Sequence, residues 1–241
     1  MILVFRKFFT GGDYESLWLG VFFLAALPST VSSAVVMVSL AGGNIPGAVF
    51  NATFSSIAGI LITPLWMGLF IHGAGGGGMD IFPVFSRLAY QILLPLAAGV
   101  VLHPRLGDLA IRNKGFTRYF DQSVILAIVY SSFSNSFSSG VFEGFGLPVI
   151  AALMFALFAL FALINWVIYL MTRKMGLSRG DLITALFCGS TKSLMHGSVM
   201  AKVLFSNLAS AGLLLLPVLM YHAMQLAVTG LMSQRFAEKD R

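Results

Sequence analysis

Residues 147–172, "LPVIAALMFALFALFALINWVIYLMT", run for 26 positions without one charged side chain. A continuous apolar stretch of more than about 20 residues matches the hydrocarbon thickness of a bilayer when coiled as a helix. In lipid, backbone N–H and C=O groups must be paired within a helix or around a closed barrel. Barrel strands alternate residue by residue between apolar and polar, which this run does not. The segment therefore reads as a membrane-crossing helix.

The rest of the chain repeats the pattern. Of 241 residues, 58% are apolar and 10% charged, too few charges to clothe a soluble domain. Windows near 20 residues place seven transmembrane helices near 17–41, 46–71, 84–103, 122–142, 147–172, 181–205 and 208–232. The predicted fold class is all-α, a polytopic membrane protein forming a single membrane domain over 1–241. Turn chemistry fills the gaps, as in "AGGNIPG" and "HGAGGGGMD". A lone cysteine, Cys188, excludes an internal disulfide and a thiolate metal cluster. The net charge of +6 is scattered between apolar spans, which fits a positive-inside membrane protein and not a nucleic-acid surface.

Loop charges set an orientation. The segment 103–121 carries Arg105, Arg112, Lys114 and Arg118; 173–180 carries Arg173, Lys174 and Arg179; the tail carries Arg235, Lys239 and Arg241. The intervening loop around Glu143 has no Lys or Arg, and the one near 205–207 has only Lys202 beside it. Basic loops belong in the cytoplasm, which puts the C-terminus there. Seven spans then put Met1 outside, together with Arg6 and Lys7, although "MILVFRKFF" lacks the order of a signal peptide. Either the count is off by one, or residues 1–9 are re-entrant or interfacial, or earlier spans of a longer protein carry this end across. The last is the expectation.

Two spans are interrupted at mid-depth. The first holds Pro28, followed by Ser29, Thr30, Ser32 and Ser33; the sixth holds Gly189, Ser190, Thr191, Lys192 and Ser193. Proline removes a backbone donor and clashes with the preceding turn, so the first span must open or kink. Gly189 makes a break in the sixth cheap. Freed backbone groups survive in a membrane only inside protein or beside a water-filled cavity. Each broken span is followed by an unbroken one, and the two broken spans cross in opposite directions. Paired interruptions in antiparallel repeats mark secondary transporters that bind at the midplane.

The polar inventory at depth is small. Asn51 and Ser55 are four apart and share a helix face; Lys192 and His196 do so if the helix resumes directly after the break. His222 and Gln225 lie mid-way along the seventh span, and "SSFSNSF" gives the fourth a hydroxyl-rich face. No Asp or Glu lies at depth, which excludes a carboxylate relay or an acid-rich cation site. Lys192 therefore needs carbonyls, hydroxyls or an anionic substrate as its partner. The candidate binding set is Pro28, Ser29, Thr30, Ser32, Ser33, Asn51, Ser55, Gly189, Thr191, Lys192, Ser193, His196 and His222. Catalytic signatures are missing: no G-x-S-x-G, no H-E-x-x-H, and a "GAGGGGM" loop without the G-K-[ST] of a phosphate cradle. An intramembrane enzyme would have to act through Cys188 or His196.

The segment "LPSTVSSAVVMVSLAGGNIPGAVFNATFSSIAGILITP" (27–64), with "GSTKSL" (189–194), resembles the bile acid:sodium symporter family, solute carrier family 10, in its bacterial branch near the member-7 subgroup. The resemblance implies a ten-helix fold of two inverted five-helix repeats with broken, crossing fourth and ninth helices. On that pattern the chain holds helices four to ten. Residues 1–72 would close the first repeat and 79–241 form the second. Sodium-coupled members carry small polar residues after the first break, where Ser32 and Ser33 fall. On their second crossing helix they carry Glu, Gln and Asn where this chain has Phe187, Thr191 and Lys192. The implied function is secondary transport of a small organic anion by alternating access in a bacterial inner membrane. Lys192 would replace sodium, coupling would be to protons or sodium, and no other cofactor is implied. Partners are the substrate and the lipid bilayer, with oligomeric state open. The alternative is a non-transporting membrane fragment or partner subunit.

Overall fold

The computed structural model describes residues 13–71, 86, 90, 94–138, 140, 146–205 and 211–238, and among these there is no strand. The order is α1 (Asp13–Ala26), α2 (Ser32–Leu40), α3 (Ile45–Ile71), α4 (Leu94–Arg112), α5 (Lys114–Ser138), α6 (Leu147–Lys174), α7 (Arg179–Ser190), α8 (Leu194–Leu204) and α9 (Ala211–Glu238). The expectations placed on Arg6 and Lys7, the "HGAGGGGMD" turn, the Glu143 loop, most of 84–93 and the tail beyond Glu238 lie outside the described residues. The chain is an integral membrane protein. Within α3, Ile45–Gly68 is long and apolar enough to cross a bilayer, and so are all of α6 and α9. Along α3, Phe50, Phe54, Ile57, Leu61 and Leu65 recur at helical spacing and are all exposed, as a lipid-facing stripe requires.

The first and sixth predicted spans are each two helices, α1–α2 and α7–α8, separated by short extended segments. The basic stretch 103–121, read from its charges as a loop, is helical apart from a turn at Asn113. Hydropathy marks where apolar side chains stop, and a helix continues past that point once its charges reach water. Local chemistry fixes other ends. Helix α6 is preceded by Gly146 as its N-cap, with Pro148 in its first turn, and is closed by Gly176 just past its end, whose φ of +65° lets its N–H and that of Leu177 reach back to Arg173 and Thr172. Ser178 then caps α7 by accepting from the Asp181 N–H.

Helix α9 is the hub, packing on α1, α2, α5, α6 and α8. Two apolar cores flank the breaks. The larger gathers Leu17, Phe23, Phe161, Met200 and Tyr221 from α1, α6, α8 and α9, with Phe205 just past the end of α8. The smaller gathers Ala34, Val38, Ala48, Ile183 and Phe187 from α2, α3 and α7. The polar residues of the two breaks lie between these cores.

Candidate functional site

The first break begins as proline chemistry dictates. The Leu27 N–H still reaches Phe23 O (3.1 Å) and Leu24 O (3.2 Å), but Pro28 has no N–H to offer. The carbonyls of Ala25, Ala26 and Leu27 then lack helical donors. Thr63 Oγ1 donates to Ala26 O at 2.7 Å. Lys192 Nζ donates to Ala25 O at 2.9 Å and to Leu27 O at 2.8 Å. A cation on the last carbonyls of a helix also meets the negative end of its dipole. Beyond the proline, the Ser29 N–H donates to Ser55 Oγ at 2.9 Å. Gly59 lets α3 lie against the break, since a Cβ there would come within 2.6 Å of Pro28 Cβ.

The second break has no proline. Helix α7 runs through Gly189 and stops at Ser190. Gly189 serves packing, contrary to its expected role in breaking the helix: a Cβ there would sit 2.7 Å from Ile168 Cδ1 on α6. The exposed main chain is held by α9. Tyr221 Oη donates to Ser190 O at 2.6 Å. The Lys192 N–H donates to Gln225 Oε1, and Gln225 Nε2 donates to Lys192 O, both at 2.7 Å. One side-chain amide thus satisfies both backbone groups of Lys192, as a neighbouring strand would. Thr191 Oγ1 turns back to Phe187 O at 2.8 Å. Ser193 Oγ caps α8, accepting from the His196 N–H at 3.3 Å and lying 2.9 Å from His196 Nδ1.

The two breaks touch directly. The Ser193 N–H donates to Pro28 O at 3.0 Å, and Ser29 Oγ lies 3.3 Å from Thr191 Oγ1. Together with the Lys192 bonds, these contacts gather Pro28, Ser29, Ser55, Thr191, Lys192 and Ser193. Thr30 joins through its place in the break and accepts from Ser33 Oγ at 3.1 Å. Ser32 and Asn51 are exposed and stand apart from this network. The helix resumes at Leu194, so Lys192 and His196 do not share a helical face: Lys192 lies in the extended segment and His196 in the first turn of α8. His222 reaches the break through Gln225, whose Nε2 is 2.9 Å from His222 Nδ1.

Three of the residues holding the site were not assigned to it from sequence. Thr63 and Tyr221 gave no signal, because each reads as an ordinary helix residue. Gln225 was visible as a buried amide, and buried amides need partners. Its partner is 33 positions away, out of reach of any local pattern. Among the described residues no cluster of three His, Cys, Asp or Glu side chains is placed to hold a metal ion. The arrangement presents one ammonium, hydroxyls and main-chain groups at the junction of four half-helices.

The SBF-like CPA transporter family model matches residues 1–238. An uncharacterized protein of Pseudomonas aeruginosa is 39% identical over 223 residues, 92% of this chain and 66% of that one. The protein named "Putative symporter YfeH" of Escherichia coli is 36% identical over 222 residues, 91% of this chain and 65% of that one. The sodium/bile acid cotransporter 7-B of Xenopus laevis is 30% identical over 205 residues, 84% of this chain and 59% of that one. The chain thus spans about two thirds or less of the length of these relatives. With a match over nearly all its residues, the chain belongs to the SBF-like CPA transporter family.

Proposed function

We propose that the chain works in secondary transport of a small organic anion, by alternating access about the meeting of its two helix breaks, with Lys192 as a tethered cation in place of sodium. The supporting observation is the pair of bonds from Lys192 Nζ to Ala25 O and Leu27 O. A sodium ion needs several oxygen ligands, and carbonyls at a half-helix C-terminus are the kind that transporters offer it. Here an ammonium holds those oxygens, and no described hydrogen bond brings a carboxylate to either break. That donor set does not fit sodium. The positive charge and the half-helix N-termini of α2 and α8 favour an anionic substrate. On this reading the helices make seven spans of a ten-helix inverted-repeat fold, with residues 1–72 closing one repeat and 79–241 forming the other. The membrane is a bacterial inner membrane with the C-terminus cytoplasmic, and the activity is transport and not catalysis.

The test is uptake of radiolabelled cholate, a bile acid, by proteoliposomes carrying the full chain, with and without sodium. Uptake is expected without sodium, and Lys192→Ala is expected to abolish it while the protein stays folded. Uptake unchanged in Lys192→Ala removes Lys192 from the mechanism, and strict sodium dependence of the unsubstituted chain overturns the tethered-cation reading.

A further inference from the structure

The hydrogen bonds around Gln225 fix the protonation of His222. The Lys192 N–H can only donate, so the Gln225 atom facing it must be the carbonyl oxygen, and the other must be the NH2 group. One proton of Nε2 goes to Lys192 O, and the other points to His222 Nδ1. Nδ1 therefore carries a lone pair, and His222 is a neutral ring with its proton on Nε2. A proton arriving at Nδ1 would set donor against donor.

We infer that His222 is a proton-binding site whose occupation releases the Gln225 clamp on the second break. A coupling proton would thereby reach the backbone of the crossing helix through one side-chain amide. The charged surroundings support this. Lys192 from the break is a like charge, and His196 is the titratable group that α8 offers near the break. Glu15 on α1 and Arg173 and Lys174 on α6 sit at the helix ends away from the break, as does Lys202 on α8. Tyr130 on α5 is exposed, and α2 carries no titratable residue. Among the described residues no hydrogen bond joins His222 to a carboxylate, so its imidazolium would find no hydrogen-bonded carboxylate there and its formation favours rearrangement.

The inference rests on the transport reading only for its purpose, and the test does not need transport. Cys188 is the single cysteine, buried on α7 four residues before Lys192. Its alkylation by N-ethylmaleimide reports loosening of that segment. Rates are measured on the full chain in native membranes from about pH 5 to about pH 8, as a ratio to His222→Asn. Asparagine keeps an acceptor near Nδ1 and does not titrate, and the ratio cancels the thiol's own pH dependence. The ratio should climb on acidification by up to about tenfold per pH unit, the limit for one linked proton. A ratio flat with pH overturns the inference. Gln225→Leu should label fast at every pH, and labelling at the unsubstituted rate would likewise overturn it. If Gln225→Leu fails to fold, the His222→Asn comparison decides alone. Absent cholate uptake with a climbing ratio would sink the proposed function and leave the proton site standing.

Discussion

The two breaks reach a similar local shape by opposite routes. The first is announced by its own sequence, because Pro28 removes the donor that would continue the helix, and contacts from Thr63, Ser55, Lys192 and Ser193 then hold it open. The second contains nothing that forbids a helix: residues 189–193 could coil if left alone. It stays open because Tyr221 and Gln225 on α9 hold Ser190 and Lys192 away from helical pairing. A break marked by proline and held by five polar contacts can serve as a fixed frame, whereas one held by two side chains can close or shift when those side chains let go. In a transporter the moving half would be the second. Lys192 links them, belonging to the second break by sequence and to the first by its ammonium bonds.

Removing that link is the largest test. Lys192→Met keeps most of the volume and strips Ala25 O and Leu27 O of their donor. Orphaned carbonyls away from water cost about 1–3 kcal/mol each, partly offset by no longer burying an ammonium. A net loss of about 2–4 kcal/mol in thermal unfolding in detergent is expected. Amide hydrogen exchange should speed up in peptides from both breaks. Faster exchange confined to residues 190–194 would show that the ammonium does not couple them. Tyr221→Phe is a smaller change and should act on one side only. It leaves the Ser190 carbonyl unpaired, for about 1–2 kcal/mol, with exchange rising at the second break and not the first. Equal loosening of both would erase the distinction between them.

What could be read from the sequence divides along the same line. Pro28 announces its break locally, and Lys192 is conspicuous because a lysine among apolar residues is costly. The second break falls within the stretch 189–193 that the sequence marks, although Gly189, the helix-weakening residue in that string, lies inside the helix. Its real cause lies on another helix, and no pattern within residues 181–205 contains Tyr221 or Gln225. Helix existence was legible nearly everywhere, because apolar runs of this length have few alternatives. The ends of α4 and α5 were not, because arginines and lysines mark the edge of the apolar layer and say nothing against a helix beyond it. The flat, exposed positions of Ser32 and Asn51 were also hidden: a small polar residue next to a break looks the same whether it turns toward the crossing or away from it.

The smallest expected effect comes from the most conspicuous residue. Pro28→Ala restores an N–H and permits a continuous helix, so a purely local view predicts that α1 and α2 fuse. Fusion would have to displace Lys192 from Ala25 O and Leu27 O, Thr63 from Ala26 O, Ser55 from the Ser29 N–H, and Ser193 from the carbonyl of residue 28. Five polar contacts would be exchanged for a few helical bonds whose net worth is about 1 kcal/mol each. The contacts win, and the break persists. Stability should change by less than about 1 kcal/mol, because the new N–H can point at Leu24 O as the Leu27 N–H already does. Hydrogen exchange across residues 27–31 should keep its unsubstituted profile. If those amides instead become as protected as the middle of α1, the proline alone was holding the first break open. The asymmetry between the two breaks would then be one of local chemistry against tertiary contacts. If they do not, both breaks are tertiary structures, and the proline records only where the first was easiest to make.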